Sequence, residues 1–213
     1  MKVVFIVGGL PHYFVNLLNV LQKVKNLEIC AILPQSKSKS LGEGVHEGYE
    51  NCTFKIIRTE EYLFLGQKPY LKNLLNIFKQ EQPQIVIVVW PFILGYFFDF
   101  PLRFWLKKNQ VKTIFRSIPY QLPRYHEANK FYAEKGFYDE NMNLIRADTW
   151  QKKIKYWLIT EINKWYFRWV DAHLNYTTLA YEILESYGVA KEKIFVTYNS
   201  GDTDELFRVK KQI

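Results

Sequence analysis

The chain has 213 residues, 48% of them apolar and 17% aromatic, with a charged fraction of 23% and a formal net charge of +8. Such proportions exclude an intrinsically disordered chain, because there is ample apolar surface to bury. The basic balance favours anionic partners (phosphorylated metabolites, acidic lipid or nucleic acid) without choosing among them.

Val3 to Val7 is a continuous β-branched and aromatic run closed by Gly8-Gly9. It predicts a strand buried on both faces. After Pro11, the apolar residues Phe14, Leu17, Leu18, Leu21 and Val24 recur at helical spacing. Glu28 to Leu33 predicts a second strand, stopped by Pro34. The polar stretch Gln35 to Glu50 predicts a surface loop with the composition of a mobile segment. Thr53 to Ile57 is a third strand, and Tyr70 to Gln80 a helix with Leu71, Leu74, Leu75 and Phe78 on one face. Ile85 to Val89 is the strongest strand signal, ended by Trp90-Pro91. Leu94 to Lys108 predicts a helix that Pro101 kinks or restarts. Lys112 to Arg116 is the next strand.

Ser117 to Arg146 is the least regular stretch. A long amphipathic helix then spans Thr149 to Val170, with Asp148 placed to cap it. Ala172 to Asn175 predicts a short strand. Leu179 to Tyr187 is a helix closed by Gly188, and Lys193 to Tyr198 the last strand. Strands alternating with helices imply an α/β fold with a Rossmann-like, doubly wound, mostly parallel sheet. Residues 1–198 are expected to form one such domain, and 199–213 the start of a linker.

Cys30 and Cys52 lack a CxxC spacing, so they predict neither zinc nor redox chemistry. Cys30 reads as a packed thiol, and the pair fits a reducing cytoplasm. No segment has the form of a signal peptide. The longest apolar run, Ile85 to Phe98, is broken by Pro91 and Gly95 and falls short of the roughly 20 residues of a spanning helix.

In an open parallel sheet, ligands bind beyond the carboxyl ends of the strands, at the point where strand order reverses. That rule selects Gly8, Gly9 and His12 after the first strand, then Trp90, Arg116, Ser117, Thr177, Thr178 and Asn199. Gly8-Gly9 would let backbone amides approach a phosphate at the next helix, or form a turn that binds nothing. His12 could bond a hydroxyl or lie near a leaving phosphate. Arg116 and Arg124 could clamp an anion bidentately; a surface ion pair with Glu127 or Asp139 is the alternative. GxGxxG, GK[ST] and GxSxG are all missing, and no histidine pair has metal-ligand spacing. No metal and no cofactor is expected.

The helix Thr149 to Val170 holds four of the six tryptophans, Trp150, Trp157, Trp165 and Trp169. Its five cations, Lys152, Lys153, Lys155, Lys164 and Arg168, face one acid, Glu161. Lys152, Lys153, Trp157 and Lys164 would suit an anionic membrane surface. Alternatively, the tryptophan stripe covers one face of the sheet. Nucleic acid is not expected, since no RNP, KH or zinc-finger pattern occurs.

The order of strand, glycine turn, helix, strand and loop, followed late by Ala172-His-Leu-Asn-Tyr-Thr-Thr178, resembles the N-terminal half of GT-B glycosyltransferases of family four. The closing Lys193-Ile-Phe-Val-Thr-Tyr-Asn-Ser-Gly-Asp202 does too, with Asn199, Asp202 and Phe207 matching that family's pattern. Ser200 and Gly201 depart from it, standing where glycine and an apolar residue are usual. The resemblance implies an acceptor-binding domain whose partner, a C-terminal domain holding the nucleotide-sugar donor, has no counterpart here. It implies a retaining sugar transfer in cell-surface polysaccharide or glycolipid synthesis, with a sugar or lipid-linked acceptor; the basic tryptophan-rich helix and the unpaired cysteines add the expectation of a cytoplasmic protein peripheral to the inner face of the cell membrane. This chain alone would then be inactive. Gly8 and Gly9 would meet the donor diphosphate, while His12, Trp90, Arg116, Ser117 and Arg124 would serve the acceptor. The alternative is a stand-alone α/β module that binds a small ligand without catalysis.

Overall fold

A computed structural model describes residues 1–36, 48–49, 51–64, 68–117, 122–134, 137–138, 144–145 and 150–198. Most of the expected loop 35–50 lies outside these residues, as do Asp148, Asn199, Asp202 and Phe207. The described residues divide into two compact units, Met1–Arg116 and Ser117–Tyr198.

The first unit begins with β1 (Lys2–Ile6), α1 (His12–Gln22), β2 (Glu28–Pro34) and β3 (Lys55–Thr59). A hairpin of β4 (Glu61–Phe64) and β5 (Lys68–Leu71) follows, then α2 (Leu74–Glu81) and β6 (Ile85–Val89). The unit closes with α3 (Ile93–Phe98), α4 (Phe100–Lys108) and β7 (Lys112–Ser117). Five of these strands form a parallel sheet in the order β7-β6-β1-β2-β3. Val3 stands opposite Ile29 on one side and Ile85 on the other. Val3 to Ile6, Ile29 to Leu33 and Val86 to Val88 are buried. Burial on both faces is why these segments are continuous apolar runs rather than alternating ones.

α1 buries Phe14, Val15 and Leu18, whereas Leu17 and Val24 of the expected stripe are exposed. Its contact with the sheet is narrower than the periodicity implies. The β4–β5 hairpin is antiparallel and was not legible as such. Tyr70 and Leu71, expected to open a helix, end β5 instead. Asn73 in the left-handed region (φ 60°) separates that strand from α2. Of the two outcomes expected at Pro101, a kink or a restart, the helix restarts, with the break at Asp99. Asp99 accepts a hydrogen bond from the Leu102 N–H at 3.0 Å and so caps α4. Pro101 sits harmlessly in the first turn. The other carboxylate oxygen of Asp99 accepts from the Tyr70 hydroxyl at 2.5 Å, tying the hairpin to the helix pair.

Gly95 of α3 makes that tie possible. A Cβ there would lie 2.5 Å from the Tyr70 ring, and the ring is buried and held by Asp99. Gly95→Ala is therefore expected to destabilise by roughly 1–3 kcal/mol, the usual cost of overpacking. The gain in helix propensity offsets at most ~1 kcal/mol of it. Urea unfolding of the two proteins side by side measures the difference.

The second unit opens with a 3-10 turn at Tyr125–Glu127 and α5 (Ala128–Glu134), then a short antiparallel pair, β8 (Phe137–Tyr138) and β9 (Leu144–Ile145). α6 (Trp150–Trp169), β10 (Ala172–Asn175), α7 (Leu179–Ser186) and β11 (Ile194–Val196) complete it. β10 and β11 run parallel, with His173 opposite Ile194. Gly188 takes φ +80° just beyond α7, as its sequence position predicts. The Val189 N–H returns to the Leu184 carbonyl at 3.1 Å, closing the helix end. Tyr166, Phe167, Val170, Ile183, Leu184 and Tyr187 form the core of this unit.

Seven strands thus pair in parallel, five in one unit and two in the other, in an α/β, Rossmann-like fold flanked by helices. Among the described residues no helix is long and apolar enough to cross a membrane. Cys30 is buried and free, and burial pushes its thiol up to about 12, which makes it a packing residue.

Candidate ligand-binding site

Strand order in the first unit reverses at the β1/β6 boundary. β1 leads to β2 on one side, and β6 lies against its other side. The crevice beyond the carboxyl ends of β1 and β6 is the switch point, the expected seat of a ligand in such a sheet. Gly8 and Gly9 leave β1 there, and Trp90 leaves β6.

Two features of α1 and one of β7 favour an anion at this edge. Its N-cap is Pro11, which gives no side-chain cap, and its first turn has no acidic residue. Its N-terminus therefore presents the positive end of the helix dipole with no side-chain cap and no acid of its own first turn, while the Phe14 N–H returns to the Pro11 carbonyl at 2.8 Å. Arg116 is the last but one residue of β7, level with Val89 of β6. Its guanidinium lies 4.7 Å from the ring centroid of Phe14, within the first turn of α1. A fixed cation thus stands beside an uncapped helix start. His12 opens the helix and is exposed, with its ring edge-on to Tyr13 at 5.9 Å.

Trp90 is 45% exposed and carries the Lys68 ammonium over its ring at 5.2 Å. An exposed indole beside a cation offers an apolar platform of the kind a sugar ring or base can stack on. The structure therefore brings Gly8, Gly9, His12, Trp90 and Arg116 to one edge of one unit. Two further residues belong with them. Gly48 donates its N–H to the Leu10 carbonyl at 3.2 Å, and a Cβ added there would lie 3.5 Å from His12 Cα. Lys68 reaches Trp90 from β5. Neither was legible, since each arrives from a segment remote in sequence.

Ser117 and Arg124 have other surroundings, within the second unit. The Ser117 hydroxyl is buried and donates to Asn175 Oδ1 at 3.0 Å. Asn175 is itself fully buried at the end of β10, and its Nδ2 has no partner among the described residues; nor has the Thr177 hydroxyl. Arg124 pairs with Glu127 at 3.2 Å and with Glu182 of α7. These half-exposed pairs form the surface ion-pair arrangement that its sequence neighbourhood also allowed. No group of three His, Cys, Asp or Glu side chains is placed to hold a metal ion among the described residues.

The fold makes the chain a Rossmann-like α/β protein, with Arg116 and Lys68 at its switch-point edge. No model of a known protein family matches it, and no curated protein does. Among solved structures it is similar to dTDP-glucose 4,6-dehydratase from Bacillus anthracis in complex with NAD, at 12% identity and a TM-score of 0.38. That match covers 82% of this chain and 54% of the other, so the chain spans about half the length of the structure it matches.

Proposed function

We propose that this chain is the acceptor-side domain of a nucleotide-sugar-dependent glycosyltransferase of GT-B type, retaining, working in cell-surface polysaccharide or glycolipid synthesis. The observation that carries the reading is Arg116 beside the uncapped N-terminus of α1, directly after the Gly8-Gly9 turn. A departing nucleoside diphosphate needs preorganised positive charge where its negative charge develops. Backbone N–H groups and one guanidinium supply it without a metal. Trp90 and His12 stand on the same edge, where an acceptor sugar could stack on the indole and offer a hydroxyl to the imidazole. The resemblance of Ala172 to Thr178, and of the stretch from Lys193 onward, to family four agrees with this half of the architecture. A donor-holding domain that completes the cleft is part of the proposal.

The native protein that contains this chain, given a panel of nucleoside-diphosphate sugars and a lipid and polysaccharide extract, is expected to release nucleoside diphosphate. Arg116→Ala should lower that release by roughly a hundredfold, the range found when one transition-state charge contact is lost. Far-UV circular dichroism should stay unchanged. No release with any donor, or an Arg116→Ala protein as active as its parent, would leave the ligand-binding module without catalysis as the better reading.

A further inference from the structure

α6 has two apolar faces. Its inner face buries Thr160, Asn163, Tyr166 and Phe167 in the second unit, continued by Val170 just beyond its end. Its outer face carries Trp150, Ile154, Trp157, Leu158 and Trp165, which remain 47% to 70% exposed. At 100° per residue these five fall within one stripe opposite the buried one, roughly 22 Å long. Fold stability does not require them there. Exposed single apolar residues are ordinary, but a run of three tryptophans on one helix face marks an interaction surface.

The charges around the stripe indicate what it meets. Exposed Lys153 borders it on one side and exposed Lys155 on the other, with Lys164 and Arg168 in its last turns. The single acid of the helix, Glu161, accepts a hydrogen bond from Tyr125. The Lys164 ammonium lies over the Tyr125 ring at 4.2 Å. The side chain of Lys152 is not among those described. Lysines are depleted in protein–protein interfaces, and two copies of this face would set like charges against each other. Both features suit lipid: tryptophan rings settle at headgroup depth, and lysine stems reach along the apolar surface to anionic phosphates. α4, in the first unit, repeats the combination, with exposed Phe100 and Phe104 beside exposed Lys107 and Lys108.

We infer that the outer face of α6 docks on an anionic bilayer, its axis lying in the plane of the interface. The inference does not depend on sugar transfer, so it can fail or hold by itself. The 213-residue chain is sedimented with phosphatidylcholine vesicles and with vesicles containing 30% phosphatidylglycerol. It should bind the anionic vesicles alone, with a blue shift of tryptophan emission and a loss of binding as salt rises. Lys153→Glu with Lys155→Glu should weaken partitioning roughly tenfold or more. Trp157→Ser should weaken it and reduce the blue shift. All these side chains are exposed, so circular dichroism should not change. Equal recovery with both vesicle types overturns the inference, and so does a charge-reversed protein that binds like the parent. Light scattering that shows a dimer dissolved by Trp157→Ser would assign the face to a second copy instead.

Discussion

Phe167→Ala is expected to cost the second unit about 3–5 kcal/mol, the range for removing a fully buried phenyl ring that its surroundings cannot refill. The ring meets Tyr187 edge-on at 5.1 Å and the His173 imidazole at 5.8 Å, and Tyr187 in turn meets Tyr125 at 5.5 Å. The strand that follows α6 and the residue that caps α7 thus meet at this ring, and Tyr187 links it onward to the 3-10 turn. The substitution leaves a cavity among aromatic groups fixed by the backbone, which limits collapse. Phe167→Leu keeps most of the volume and should cost clearly less. Urea unfolding followed by far-UV circular dichroism, with amide exchange in β10 and α7 to localise the effect, measures both. A Phe167→Ala protein within ~1 kcal/mol of its parent would show that this ring does not hold the unit together.

The parallel strands were the most legible part of the chain, because burial on both faces writes itself as continuous β-branched runs. Ile85 to Val89 has the expected limits, and β1, β2 and β10 agree to within a residue at each end. The β4–β5 hairpin was not legible. Its strands are four residues each, and the Pro69-Tyr70-Leu71 end runs into a helix-like apolar pattern. What fixes Tyr70 in a strand is tertiary: the space above Gly95 and the carboxylate of Asp99. The break between α3 and α4 was half legible, since Pro101 signals a disturbance but Asp99, as cap and as hydrogen-bond acceptor, decides where it falls.

For the site, topology did most of the work. The rule that ligands gather beyond the carboxyl ends of parallel strands offered Gly8, Gly9, His12, Trp90 and Arg116 as candidates without any motif, together with Thr177, Thr178 and Asn199. The rule does not see side-chain direction, so it equally selected Ser117, whose hydroxyl turns inward to Asn175. The cation over Trp90 comes from Lys68, more than twenty residues earlier in the chain. α6 shows the same limit in another form. Two apolar stripes share its helix, and periodicity alone cannot say which one is buried. The smaller and more polar set, with Thr160 and Asn163, is inside, and most of the tryptophans are outside.

His173 provides a test of the second unit that is independent of any ligand. Its ring is fully buried, and Nε2 bonds the Phe167 carbonyl at 2.8 Å. Burial disfavours the imidazolium, the Phe167 carbonyl partly opposes this, and the nearby Lys193 charge adds to it. Together they hold the group down to about 4, against 6.5 for an ordinary histidine. The unfolded chain therefore takes up a proton between those values while the folded chain does not. Stability is complete above pH 6.5 and falls as pH drops toward 4, at which point the folded form begins to protonate too. Between pH 7.5 and pH 5 the expected loss is about 2 kcal/mol. Glu81, in the first unit, responds in a different window. Burial pushes its carboxyl up, but hydrogen bonds from Lys55 and Lys2 outweigh this and hold it below its ordinary 4.5, so its contribution is lost only in stronger acid. His173→Leu should start less stable at pH 7.5, because the Phe167 carbonyl loses a partner, yet change far less between pH 7.5 and pH 5. If parent and variant lose stability in parallel over that interval, the imidazole is not buried as a neutral group, and the packing of β10 against the end of α6 would need to be redrawn.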